Sequence, residues 1–123
     1  QLSWLNLTHN QLTDEAAKYL AEAINNNNCQ LRTLDLSENN ISDIGAQHLA
    51  DAINDNSCQL RMLDLSANGI SDTGAQDLAK AINNNNGQLR TVDLSYNQHI
   101  TEAGKQETHN LLSNSQSKRK LIL

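Results

Sequence analysis

The chain has 123 residues, a hydrophobic fraction of 37% and a formal net charge of -5 at pH 7. This length suits a single domain, and a composition with no Phe, one Trp and two Tyr indicates a core built from Leu, Ile and Ala. The acidic balance and the lack of an apolar run of membrane length argue against a nucleic-acid partner and against a membrane partner.

The first predicted element is a short strand. Residues 2–7 follow the pattern Leu-x-x-Leu-x-Leu, whose alternation is typical of a strand with one buried face. A helical period follows, with apolar residues at i, i+3, i+4 and i+7. These residues are Ala17, Leu20, Ala21 and Ile24. Thr13 is a candidate N-cap, and Asp14 follows it where the helix dipole favours negative charge.

The same unit recurs three more times along the chain. Its first leucine returns every 29 residues, at Leu2, Leu31, Leu60 and Leu89. The candidate N-caps are Thr13, Ser42, Ser71 and Thr101, each followed by Asp or Glu. A column of small residues, expected to permit a close approach of helix to backbone, consists of Ala16, Gly45, Gly74 and Gly104. Each repeat is therefore predicted to contain a strand, a turn, a helix and a return segment.

A single unit of this kind leaves both of its apolar flanks open, so the units must stack to become stable. Burying each repeated Leu or Ile contributes roughly 1.5–3 kcal/mol, so neighbouring repeats supply most of each other's stability. We predict one repeat domain over residues 1–123. Its repeats lie at about 2–30, 31–59, 60–88 and 89–118, and a fifth strand starts at 121–123.

These repeats resemble a known family. Their shared pattern is Leu-x-x-Leu-x-Leu-x-x-Asn-x-Ile-x-Asp-x-Gly-Ala-x-x-Leu-Ala-x-Ala-Ile, which is similar to the ribonuclease-inhibitor-like class of leucine-rich repeats over nearly the whole chain. Similar repeats occur in ribonuclease inhibitor, in NOD-like receptors, in the activating protein of the Ran GTPase and in effectors of intracellular bacteria. The resemblance implies an α/β horseshoe-shaped solenoid with a parallel sheet on the concave face, helices on the convex face and a role in protein binding.

The last repeat departs from the pattern. An extra residue occurs within 96–100, and the Ala, Leu and Ala of the helical columns become Lys105, Thr108 and His109. This change predicts a polar cap that faces water. Because the first repeat shows no such cap, we interpret the chain as a C-terminal piece of a longer array.

The strand residues that point away from the core form the predicted binding face. The candidate partner-binding residues are Trp4, Asn6, Thr33, Asp35, Glu38, Met62, Asp64, Thr91, Asp93 and Tyr96. Among them Trp4, Met62 and Tyr96 resemble interface anchors, because their large side chains stand on a surface of short ones.

Three of these candidates are aspartates on neighbouring strands, so their charges repel. Strand spacing of about 4.8 Å puts this repulsion near 1 kcal/mol per pair in water. Either the arginine column of the chain or a basic surface on the partner would offset it. The column consists of Arg32, Arg61 and Arg90.

Other recurrent polar residues have a structural interpretation. The resemblance implies that Asn10, Asn39, Asn68 and Asn97 satisfy backbone groups where each strand turns. Cys29 and Cys58 provide too few ligands for a metal site, and we predict buried free thiols. No cofactor or metal is expected. The scarcity of cysteine favours the cytoplasm, or a host cytosol for a bacterial effector, although N-glycosylation sequons at 6–8 and 40–42 leave an extracellular location open.

The leading functional prediction is a module whose concave face binds a protein, with a basic surface as one candidate for that partner. A regulatory repeat segment of a larger signalling or effector protein is an alternative, and the resemblance also implies GTPase activation as another. Catalysis is disfavoured, because the sequence shows no nucleophile elbow, phosphate-binding glycine loop or metal-ligand cluster.

Overall fold

Short strands and longer helices alternate in the computed structural model, which describes residues 2–55, 57–84, 88–113 and 119–123. The strands are β1 (Trp4–Asn6), β2 (Thr33–Asp35), β3 (Met62–Asp64), β4 (Thr91–Asp93) and β5 (Lys120–Ile122). The helices are α1 (Asp14–Ile24), α2 (Asp43–Ile53), α3 (Asp72–Asn84) and α4 (Glu102–Ser113). None of the described helices combines the length and the apolar character that a membrane crossing requires.

The strands form one parallel sheet in the order in which they occur along the chain. Each strand residue pairs with its counterpart in the next repeat, as Leu34 does with Leu63. The pairing of Thr91 with Lys120 adds β5, which begins one residue earlier than the sequence suggested. This in-register stack of strands and helices confirms the predicted α/β solenoid.

The core lies between the sheet and the helices. Leu34 and Leu63 point from their strands into this layer and have no exposed surface, and Leu78 of α3 is equally buried in the same cluster. The counterparts in the first repeat, Leu5 and Leu20, are only partly buried. The difference arises because β1 and α1 form the outer flank of the described stack, whereas inner repeats are covered on both sides.

Hydrogen bonds between neighbouring repeats join the helix starts. Asp14 Oδ1 accepts the backbone N–H of Ser42 at 2.7 Å and of Gly45 at 3.0 Å, and the Ser42 hydroxyl donates to Asp14 Oδ2 at 2.5 Å. The side chains of Thr13 and Ser42 make no capping bond to their own helices. The predicted capping role of these two hydroxyls is therefore wrong. At α2 a charged carboxylate of the preceding repeat, which is the stronger acceptor, takes that place.

The arrangement recurs one repeat later. Asp43 Oδ1 accepts the backbone N–H of Ser71 at 2.8 Å and of Gly74 at 3.1 Å, and the Ser71 hydroxyl donates to Asp43 Oδ2. A Cβ atom on Gly74 would lie 2.5 Å from Asp43 Oδ1 and 2.7 Å from Ile70 Cγ2. The glycine column thus permits a close approach, as expected, and the approaching group is the acid of the preceding repeat.

The last helix is capped differently. Thr101 Oγ1 accepts the backbone N–H of Gly104 at 3.0 Å, so this threonine caps its own helix as predicted. The Thr101 hydroxyl also donates to Asp72 Oδ2 at 2.7 Å, which keeps the link to the preceding repeat. Every helix after α1 is therefore tied at its start to an aspartate of the repeat before it.

The polar columns of α4 only partly face water. His109 is exposed and Lys105 is half-buried, but Thr108 is fully buried, so the predicted solvent-facing cap is wrong at this position. The Thr108 hydroxyl lies 3.0 Å from the carbonyl oxygen of Gly104 and 2.9 Å from that of Lys105. A threonine can occupy a core position in a helix because its own backbone satisfies the hydroxyl.

Both cysteines are free thiols. Cys58 is buried as predicted, whereas Cys29 is only half-buried. Burial raises the pKa of the Cys58 thiol above its ordinary value, because an apolar environment disfavours the thiolate.

Candidate functional site

The sheet face, meaning the side of the sheet turned away from the helices, carries three rows of side chains. The register of the strands aligns equivalent residues, so each row runs along the stack. The middle row contains Trp4, Thr33, Met62, Thr91 and Lys120. The acidic row contains Asn6, Asp35, Asp64, Asp93 and Ile122. The serine row follows each strand and contains Thr8, Ser37, Ser66 and Ser95.

Each aspartate of the acidic row is held by the serine two residues later. Asp35 Oδ1 accepts the backbone N–H of Ser37 at 2.9 Å and its hydroxyl at 2.6 Å. The same pair of bonds recurs at Asp64 and Asp93, with distances of 2.9 and 2.7 Å in both repeats. Asn6 Oδ1 accepts the N–H of Thr8 at 3.0 Å in the first repeat. These bonds fix the carboxylates at the ends of the strands.

The same bonds also bear on how the row's repulsion is offset. The sequence left two sources of positive charge open, the arginine column and a basic partner. None of the described arginines forms an ion pair with the acidic row. Instead, Arg32 Nη1 donates to the carbonyl oxygen of Gln30 at 3.0 Å, and Arg61 Nη2 donates to Gln88 Oε1 at 3.3 Å. The serine hydroxyls and N–H groups stabilise the carboxylates locally, and each Oδ2 of the row has no hydrogen-bond partner among the described residues.

The arginine column has a fourth member that the sequence reading missed. Arg119 follows Arg90 by the same 29 residues, and this spacing was the available signal. Arg119 Nη1 donates to the carbonyl oxygen of Ile82 at 2.6 Å, so its side chain reaches the end of α3. Burial, followed by the positive charge of Arg90, lowers the pKa of the Arg119 guanidinium.

A left-handed residue turns the chain away from the sheet after each serine. These residues are His9, Glu38, Ala67 and Tyr96, with φ of 58°, 56°, 54° and 60°. This conformation is costly for residues with a Cβ atom. The repeated turn presents Glu38 and Tyr96 outward, and Tyr96 is 83% exposed.

The asparagines directly after this turn connect neighbouring repeats. Asn39 Oδ1 accepts the backbone N–H of Asn10 at 3.0 Å and of Leu12 at 2.9 Å. Asn39 Nδ2 donates to the carbonyl oxygens of Leu7 at 3.1 Å and Leu36 at 3.0 Å. The pattern recurs at the two following asparagines, Asn68 and Asn97. These side-chain amides stabilise the left-handed turns that follow the strands, because they join the backbones of neighbouring repeats there.

The three candidate anchors are spread across the sheet face. Trp4 is 56% exposed at the first strand, Met62 is half-buried at the third, and Tyr96 lies beyond the end of the fourth. From strand spacing and rise, Trp4 and Tyr96 are roughly 20 Å apart, so they do not form one cluster. Thr33 and Thr91 are half-buried between them. Trp4, Met62 and Tyr96 therefore lie along a diagonal of the face as separate contact points, and they do not enclose a pocket for a small molecule.

The described part of the chain contains no group of three His, Cys, Asp or Glu side chains that could hold a metal ion. A groove of about 170 Å³ between α2 and α3 is lined by Gln47, Asp51, Asp77 and Lys80, which lie on the helix side. A second groove of about 540 Å³ lies beside Tyr96 and is lined in part by Asn97, Lys105 and Leu123.

Two family models match the chain, and both describe leucine-rich repeats. One, for two copies, matches residues 29–80, and the other, for a single repeat, matches residues 2–21. None of the curated proteins compared with the chain matches it. Among solved structures, leiomodin-1 actin-binding site 2 is similar, with a TM-score of 0.84 and 21% sequence identity over 98% of this chain and 69% of that one.

At this sequence identity, the likeness to leiomodin-1 shows the fold alone. The family models carry the assignment, because together they span more than half of the chain and coincide with the observed strand, turn and helix units. The chain therefore belongs to the leucine-rich-repeat family.

Proposed function

We propose that the chain is a protein-binding module that uses the sheet face as its binding surface. The observation that carries this proposal is the exposure of two aromatic side chains, Trp4 and Tyr96, at 56% and 83% on a face whose other residues are mostly short and polar. Exposed aromatic residues are enriched among the anchors of protein interfaces. Extended rows of side chains also suit a macromolecular partner better than a small molecule.

The charge of the face defines the partner further. Among the described residues no group donates to the Oδ2 atoms of Asp35, Asp64 and Asp93, and Glu38 is exposed beside them. Basic groups of a partner would therefore find acceptors there. We also propose that the repeats belong to the ribonuclease-inhibitor-like class. Two features support this class. The 29-residue period is at the long end of the range for leucine-rich repeats, and helices of 11 to 13 residues form the side of the solenoid opposite the sheet.

The test compares two double variants in affinity capture. Trp4→Ala with Tyr96→Ala removes both aromatic side chains from the sheet face. Tyr19→Ala with Ile44→Ala removes two side chains of similar exposure, 59% and 64%, from the helix side. We expect the first variant to lose its partner by tenfold or more and the second to retain it. Equal retention by both variants would refute the use of the sheet face.

Actin is one defined candidate for this test, since the similar leiomodin-1 structure is described as an actin-binding site. Co-sedimentation with actin filaments, together with a binding assay on monomeric actin, would decide whether the chain shares that property. A negative result would remove actin and leave the module's binding face to be tested with the captured partner.

A further inference from the structure

The asparagine that links the third repeat to its neighbours is followed by a glycine. In the other three repeats the residue after the equivalent asparagine has a longer side chain: Gln11, Asn40 or Gln98. The pair Asn68-Gly69 is therefore open to deamidation, because glycine has no Cβ atom to hinder attack of its nitrogen on the asparagine side chain. A second Asn-Gly pair, at 86–87, lies outside the described residues.

The fold does not require glycine at position 69. Gly69 is exposed and its φ is not positive. A Cβ atom at this position would lie 3.6 Å from the carbonyl oxygen of Ile41, which is an ordinary van der Waals distance. At Gly74, by contrast, a Cβ atom would lie 2.5 Å from Asp43 Oδ1. The reactive pair is therefore not a consequence of packing, and an alanine fits at position 69.

The folded chain holds both reacting groups apart from each other. Deamidation begins when the nitrogen of Gly69 attacks Cγ of Asn68, but the Gly69 N–H donates to the carbonyl oxygen of Ile41 at 2.8 Å. Asn68 Oδ1 accepts the N–H of Ile41 at 2.9 Å, and Asn68 Nδ2 donates to the carbonyl oxygen of Leu36 at 3.0 Å. Ile41 and Leu36 belong to the second repeat, so the attack requires the third repeat to separate from the second.

Once the two repeats separate, the reaction needs only water. The Gly69 nitrogen gives its proton to hydroxide and forms a bond to Cγ of Asn68, and the bond from Cγ to Nδ2 breaks. The departing ammonia takes a proton back from water and leaves a succinimide ring. Water then adds to one carbonyl carbon of the ring and breaks its bond to nitrogen. The product is aspartate at residue 68, or isoaspartate, in which the former side chain continues the backbone.

Neither product fits the place that Asn68 occupies. Asn68 Nδ2 donates to the carbonyl oxygens of Leu36, Leu65 and Ser66 at 3.0, 3.1 and 3.2 Å. A carboxylate only accepts hydrogen bonds, so it would face these three oxygens with no donor between them. Leaving partly buried carbonyl groups unpaired opposite a negative charge destabilises the folded state. Isoaspartate also adds one carbon atom to the backbone, which displaces the residues that follow.

We infer that Asn68 is a modification site, protected while the second and third repeats are stacked and deamidated when they separate. The product hinders renewed stacking, so the reaction converts a transient opening of one junction into a lasting one. The strands β2 and β3 pair at this junction, so its loss divides the sheet face between Asp35 and Asp64. The inference concerns the stability of the stack and does not depend on which partner the sheet face binds.

The first test measures the rate of deamidation at each asparagine of the full chain by peptide mapping and mass spectrometry, in neutral buffer and in urea that unfolds the chain. In urea we expect Asn68 to react at least about tenfold faster than Asn39, with the pair at 86–87 as an internal reference for an unfolded Asn-Gly. In buffer we expect Asn68 to react at least about tenfold more slowly than in urea, because it waits for local opening. Gly69→Ala should remove the advantage of Asn68 over Asn39 in urea.

The second test opens the junction and then mimics the product. Asp43→Ala removes the carboxylate that joins the second repeat to the third, so it should accelerate the reaction of Asn68 in buffer, whereas Asp51→Ala should not. Asn68→Asp should lower the folding equilibrium constant at least about tenfold. Asn40→Asp makes the same change in charge at an exposed position and should keep this constant within about twofold.

Several results would overturn the inference. Asn68 would react as fast in buffer as in urea, would show no advantage over Asn39 in urea, or would be unaffected by Asp43→Ala in buffer. An Asn68→Asp chain as stable as the Asn40→Asp chain would reject the effect of the product. An Asn68→Asp chain that fails to fold shows the expected loss, and the rates measured on the unmodified chain test the protection independently.

Discussion

Asp43 Oδ1 lies 3.1 Å from the backbone nitrogen of Gly74, so a carboxylate at the start of one helix accepts a hydrogen bond from the first turn of the next. The same relationship joins Asp14 to Gly45. Each inner helix start therefore depends on the presence of the preceding repeat. Such bonds couple neighbours directly, in addition to the apolar burial that all stacked repeats share.

Replacing Asp43 by Ala should lower the free energy of unfolding by about 1–3 kcal/mol, because the N–H groups of Ser71 and Gly74 lose their acceptor. Urea denaturation measures this change. Asp51→Ala on the same helix is the matched control, because Asp51 is exposed and its loss should alter stability by no more than about 0.5 kcal/mol. Equal effects of the two substitutions would contradict the capping role.

Gly74→Ala should destabilise the chain by about 1–3 kcal/mol, because the new methyl group would meet the Asp43 carboxylate and the Ile70 side chain. In the Asp43→Ala background the cost should shrink, since one of the two opposing groups is gone. A double-mutant cycle on thermal or urea unfolding measures the coupling. Strict additivity of the two substitutions would show that the cost of Gly74→Ala does not come from contact with the Asp43 carboxylate.

Asn39→Ala should cost about 1–3 kcal/mol, because it leaves buried and partly buried backbone groups of two repeats without partners. Asn10→Ala should cost less. Asn10 is exposed, and among the described residues its side chain bonds to carbonyl oxygens of its own repeat, those of Leu7 and Thr8. The urea unfolding midpoints of the two variants measure this difference. An equal loss of stability would show that the hydrogen bonds between repeats contribute little to stability.

Ala67→Gly should stabilise the chain by about 0.5–1 kcal/mol, because φ of Ala67 is 54° and glycine adopts this conformation without steric cost. The control is Ala103→Gly, at an exposed position in α4, which should destabilise by about 1 kcal/mol. Thermal unfolding measures both changes. A loss of stability at residue 67 would mean that the turn does not hold this left-handed conformation in solution.

The 29-residue period predicted the architecture well, because one in-register translation determines the sheet order, the helix positions and the core columns together. Hydrogen-bond partners were harder to predict. A serine at a helix start is compatible both with capping its own helix and with donating to a neighbour, and only the position of Asp14 relative to Ser42 decides between them. Buried Thr108 was misjudged because composition does not show where a hydroxyl finds its acceptor.

On the sheet face, too, the positions of residues could be predicted but their hydrogen-bond partners could not. Alternation along the strands correctly predicted that Thr33 and Asp35 flank a buried Leu34, and the same holds in the next two repeats. Sequence alone could not show that the carboxylate of Asp64 is held by the hydroxyl of Ser66, because that bond depends on the turn that follows the strand. Arg119 keeps the 29-residue spacing from Arg90, so the sequence contained the signal for this fourth member of the arginine column.

Site-specific photocrosslinking tests most directly whether the sheet face is the binding surface. A photoreactive amino acid is placed at Met62 in the centre of the sheet face, and in a second preparation at Ile44 on the helix side, with the captured partner present. We predict covalent adducts from residue 62 and none above background from residue 44. Adducts from residue 44 alone, or equal yields from both positions, would contradict the account.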